Sequence, residues 1–159
     1  MEAQWSGVLR SNNYFNERPT TKDYVKLAKP MRLDEFSIKF PAFPWLKPIT
    51  PFKNWKLGGN PTSDLEWLSS YNAVKHNRER EFHRATLKHA FEALAACYVM
   101  LVAQFGVSFR GPLHPSRLSF FELVARPRWS LEEVYLRPNA YALEGAASNE
   151  WMPTDFGFA

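Results

Sequence analysis

The sequence predicts a mainly α protein built on two long helices, about 64–75 and 79–105, with an irregular aromatic and proline-rich wrap and a short β element. Three observations lead there. Leu65, Leu68, Tyr71 and Val74 recur at helical spacing. The same period resumes through Phe82, Leu87, Phe91, Leu94, Tyr98, Leu101, Val102 and Phe105. Before both runs, PAFPWLKPITPFKNW sets Pro41, Pro44, Pro48 and Pro51 among Phe43, Trp45, Phe52 and Trp55. That spacing of prolines forbids a helix, yet its rings can clamp onto one.

With 159 residues, 45% of them hydrophobic and 16% aromatic, the chain can bury a core, which excludes a wholly disordered protein. We expect a single domain over 1–138, comprising an irregular wrap (1–60), a helical core (61–107) and a mixed segment (108–138). A loose tail is expected over 139–159. In the wrap, Thr20 or Thr21 can cap a short helix over 22–28 that Pro30 ends. Residues 35–40 alternate enough for a short strand. Ser63 and Glu66 have the spacing of a capping box at the start of the first long helix. The helical pattern breaks near His76 and Asn77, so the two helices are either hinged at 76–78 or continuous, and Gly106 stops the second. Residues 118–124 suggest another strand, and Ser130 a cap for one helical turn.

Cys97 is the only cysteine and lies in AALAACYVML. A single thiol makes no internal disulfide, so a reducing cytoplasm is the expected compartment, with Cys97 buried and structural. The apolar run 93–103 falls short of the roughly 20 residues a bilayer span takes, so no membrane association is expected. It is apolar all round and needs cover on every side. We therefore expect a symmetric homodimer.

The chemistry concentrates in YNAVKHNREREFHR. Tyr71, Asn72, Lys75, His76, Arg78, Arg80, His83 and Arg84 crowd into this stretch. Asn72 and His76, four apart, share a helix face. On a continuous helix Arg80, Arg84 and Lys88 make a basic ridge, which ordinarily is a solvated face and here can bind RNA phosphates. The net charge of +4 is compatible with such a polyanion. His76 and His83, seven apart, would lie about 10 Å apart along an axis, too far to share one metal ion. No metal and no cofactor is expected. The sequence holds no glycine-rich phosphate loop, no G-x-S-x-G elbow and no CxxC.

The stretch WLSSYNAVKHNREREFHRATLKHAFEALAA resembles the YN-x-x-KH-(D/N)-R element of bacterial helical proteins related to the HEPN superfamily. That superfamily carries R-N-x-x-x-H or, more loosely, R-x(4–6)-H. Here Asn72 to His76 matches N-x-x-x-H with Tyr71 where arginine is usual, and Arg78 to His83 matches the looser form. The resemblance covers about 40 residues. It implies a four- or five-helix bundle, dimers that pair two motifs in one cleft, metal-independent RNA cleavage, and a setting in bacterial defence or toxin–antitoxin systems. On that implication His76 is the general base, Asn72 orients it, and Lys75 with Arg78 binds the scissile phosphate. His83 and Tyr71 are held in reserve. The alternative is a non-catalytic helical module that docks a nucleic acid, or a protein partner through the aromatic proline-rich segment.

Overall fold

The computed structural model describes residues 1–106 and 120–129. Among them the protein is mainly α, with five α-helices and one two-stranded antiparallel sheet. The Ser130 turn, the 139–159 tail and the first residues of the 118–124 strand lie outside the described residues.

The first helix, α1 (Glu2–Ser11), corrects the expectation of an irregular start. Trp5, Val8 and Leu9 stand at i, i+3 and i+4, and all three are buried. The Trp5 ring lies 5.1 Å from Tyr24 and 5.2 Å from Trp55. Next comes α2 (Thr21–Tyr24), which tightens into a 3₁₀ turn at Val25–Leu27. Of the two candidate caps, Thr20 is the one used. Asp23 Oδ2 accepts from the Thr20 backbone N–H at 2.7 Å and from its hydroxyl at 3.0 Å.

Asp23 is a hub. Its other oxygen accepts from the Tyr14 hydroxyl and from Asn16. Partial burial alone would raise its pKa. These hydrogen bonds outweigh burial and hold the carboxyl at about 2, below the ordinary 3.8. A depressed pKa means the stabilisation is present above pH 3.8 and lost as pH falls toward 2. Asp23→Asn should therefore lower stability at neutral pH by about 1 kcal/mol. In urea unfolding the gap to wild type should close as pH drops from about 4 to about 2. A gap that stays constant over this range would contradict the assignment.

After a 3₁₀ turn at Leu33–Glu35, strand β1 (Ser37–Lys39) pairs antiparallel with β2 (Glu122–Ala125). Ile38 also bridges Ile49 of the proline-rich arm, so the fully buried Ile38 is gripped on both sides. The arm then lays its rings on the core. Phe43 and Phe40 each meet Phe91 at 4.8 Å, and Phe52 and Trp55 are buried. Trp55 donates its indole N–H to the Pro61 carbonyl at 3.0 Å, and Trp67 donates to the Pro51 carbonyl at 2.9 Å. The prolines, which donate nothing, thus serve as acceptors for the buried indoles.

The first expected long helix is α3 (Glu66–His76). Its N-cap is Leu65, and the Ser63–Glu66 box does not form. The Ser63 hydroxyl reaches back to the Asn60 carbonyl, and Glu66 reaches forward to Lys88 instead. Trp67 and Leu68 carry its buried face, while Tyr71 leaves the stripe and is 50% exposed.

The second expected helix is not continuous. A single turn, α4 (Arg78–Glu81), passes into a 3₁₀ turn at Phe82–Arg84, and α5 (Leu87–Phe105) starts afresh. The two parts meet at 85°. Thr86 causes the break, since its hydroxyl caps α5 by accepting from the His89 backbone N–H at 3.3 Å. Gly106, at φ 72°, ends α5 as expected.

Among the described residues, one face of α5 is fully covered. Phe91, Ala95, Ala96, Val99 and Met100 are buried. Leu87, Leu94 and Cys97 are exposed on another face, which corrects the expectation of a buried thiol. Partial burial still raises the Cys97 thiol pKa. Among the described residues no single helix is long and apolar enough to cross a membrane.

Candidate functional site

The cationic stretch hangs on a backbone break at the end of α3. His76 is the last residue of that helix, and Asn77 departs from helical geometry at φ −146°, ψ 72°. Of the two alternatives, hinged or continuous, the chain takes the break at 76–78, followed by a second break before α5. A helix C-terminus gathers unpaired carbonyls, whose partial negative charge favours cations. Lys75 and His76 occupy that last turn.

The residues around the break differ in what they hold. Lys75 pairs with Glu2 of α1 at 3.5 Å, and its ammonium lies 5.6 Å from the centre of the Tyr71 ring. The Arg78 guanidinium stands over Phe82 at 5.9 Å. Arg78 and Arg80 are exposed, and neither has a carboxylate partner among the described residues. His76 is exposed and makes no side-chain hydrogen bond or ion pair there, and Asn72 does not reach it. The His83 ring turns back to the Arg80 carbonyl at 3.0 Å, away from any pairing with Arg78.

Further on, the expected basic ridge comes apart. The 85° turn separates Arg80 from Lys88, and two of the three cations are engaged inside the chain. Arg84 donates to the Ser69 hydroxyl at 3.0 Å and lies 3.6 Å from Glu81. Lys88 sits between Glu66 at 2.5 Å and Glu92 at 3.6 Å. The Glu66 hydrogen bond raises the Lys88 pKa, and the same bond lowers that of Glu66. His89 completes this set, with its ring on the Arg84 carbonyl at 2.9 Å. Together these contacts staple the start of α5 onto α3 and border a hollow of about 320 Å³ at Ser63, Ser69 and Ser70.

Sequence reading did not find this staple. The Lys88–Glu92 half was visible as an i, i+4 pair. Glu66 and Lys88 are 22 residues apart, a separation that no local pattern reveals.

The arrangement is suited to holding anions more than to turning them over. Arg78 and Arg80 offer donors with no carboxylate competitor among the described residues, which is what a phosphate needs. A general base must also be oriented, and among the described residues no hydrogen bond or ion pair orients the His76 ring. Among the described residues no three His, Cys, Asp or Glu side chains are grouped to hold a metal ion. Comparison with family models, with curated proteins and with solved structures gives no match.

Proposed function

We propose that this chain acts on RNA in the manner of the HEPN-like proteins it resembles, with the hinge at His76–Arg80 as the phosphate-facing surface. The observation that carries this reading is the pair Arg78 and Arg80. They are exposed close to His76 in the chain and have no carboxylate partner among the described residues, while nearby Arg84 and Lys88 are each tied to carboxylates. On this reading Lys75 joins Arg78 on the scissile phosphate, and Tyr71, half exposed next to Lys75, offers a ring for base stacking. Purified protein should bind single-stranded RNA in EDTA with an affinity that drops as salt rises. Absence of RNA binding at low salt overturns the reading.

Cleavage, where it occurs, needs His76 held as a general base, and a second copy is the means. The apolar face of α5 at Leu94 and Cys97, exposed and away from the proline-rich arm, matches a helix packing against its own copy. Such pairing would complete the helical bundle that the resemblance implies and would double the local positive charge. Leu94 is 45% exposed at the middle of this face. Leu94→Glu should turn a homodimer at micromolar concentration into a monomer in sedimentation experiments, because an unpaired carboxylate would be buried at the interface. A wild-type monomer, or a Leu94→Glu dimer, would contradict the assembly.

A further inference from the structure

A second hollow lies away from the hinge. It is a groove of about 1,020 Å³ between the proline-rich arm and the first turns of α5. Trp45 on the arm and Leu87 on α5 both line it, and both are largely bare, 74% and 71% exposed. Trp45 packs edge-on against Phe43 at 5.6 Å, and Phe43 rests on Phe91. A large apolar side chain entering here therefore meets a firm floor.

The charges lining the groove are sorted by wall. The arm contributes Lys47, Lys53 and Lys56, all exposed and none in an ion pair among the described residues. The opposite wall holds Glu66 and Glu92 around Lys88, and Asp64. Asp64 packs against Gly59, where any Cβ would collide with its carboxylate. We propose that the groove docks an acidic peptide segment, with a large apolar side chain between Trp45 and Leu87 and its carboxylates facing the three free lysines.

Two observations favour a peptide over a nucleic acid. The carboxylates on the α5 side repel a backbone that is negative at every unit, but they tolerate a peptide whose acids lie on one side. The anchor wall also includes the aliphatic Leu46 and Leu87, which suit an apolar side chain better than a flat base. Pro48 and Pro51 lack N–H groups, and the Ile49 N–H and carbonyl are already bonded to Ile38. An added β-strand along the arm is therefore excluded, and recognition must go through side chains.

The test uses the full chain and a fluorescent peptide of about twelve residues, a central Trp-Leu pair flanked by Asp and Glu, with a twin in which every acid is Lys. Anisotropy should show the acidic peptide binding about ten-fold or more tighter than its twin, and Trp45→Ala should remove about the same factor. Lys47→Glu/Lys53→Glu/Lys56→Glu should reverse the charge preference, a result that loss of folding cannot mimic. Arg78→Ala/Arg80→Ala should leave peptide binding unchanged, which separates this site from the hinge. Equal binding of both peptides, indifference to Trp45→Ala, or displacement of the peptide by a uridine oligomer would each overturn the proposal, the last by assigning the groove to nucleic acid.

Discussion

Trp5→Ala should destabilise the chain by about 3–5 kcal/mol, read as a large drop in the urea midpoint. Trp5 is fully buried, and its ring joins Tyr24 of α2 to Trp55 of the arm, so three segments lose their common contact at once. Its indole N–H is buried with no hydrogen-bond partner among the described residues. Trp5→Phe would remove that unsatisfied donor while keeping most of the ring contact, and should cost far less than the alanine change. Equal losses for the two variants would mean that packing is not what holds α1. Because Glu2 of α1 pairs with Lys75, losing the helix would also release a cation at the hinge.

His76→Ala should abolish RNA cleavage in EDTA, a loss of about 10²–10⁴-fold, while leaving RNA affinity nearly intact. The expected reaction is attack of the ribose 2′-hydroxyl oxygen on the adjacent phosphorus. On this reading His76 takes the proton, the bond to the 5′-oxygen of the next nucleotide breaks, that oxygen takes a proton from solvent to leave as a hydroxyl, and a cyclic phosphate end remains. His76 has no partner within the described chain, so activity should rise with protein concentration as copies pair, and Leu94→Glu should suppress it alongside His76→Ala. Cleavage that persists when His76 and His83 are both alanine would rule out this mechanism.

Much of the scaffold was legible because it rests on local chemistry. The Thr20–Asp23 cap and the Gly106 stop depend on residues a few positions apart, and the chain breaks at His76–Asn77, where the helical pattern stopped. Errors arose where a local pattern had two outcomes. Ser63 and Glu66 had capping-box spacing, but the long-range bond to Lys88 took Glu66. The run from Phe82 through Leu87 to Phe91 crosses a bend, because a hydrophobic pattern does not register the cap that Thr86 supplies in the middle of the run. In α1 only three apolar residues carry the signal, diluted by Gly7 and by the serines and asparagines that follow. The 93–103 part of α5 is apolar on all sides, so it could not tell which face the fold would cover. At the hinge, residue types were readable, but which cations stay free was not. That depended on the distant carboxylates Glu2 and Glu66.

The free cations are the centre of the account, and a salt titration of single-stranded RNA binding tests them directly. Plotted as log affinity against log salt, each phosphate contact contributes a slope of about −0.7. Arg78→Ala/Arg80→Ala removes two contacts, so the slope should become shallower by about 1.4, with weaker binding to every RNA sequence. Arg84→Ala, whose guanidinium is held by Ser69 and Glu81, should leave the slope near wild type. A slope unchanged in the Arg78 and Arg80 double variant, or one that depends on Arg84 instead, would contradict the hinge as the RNA-facing surface.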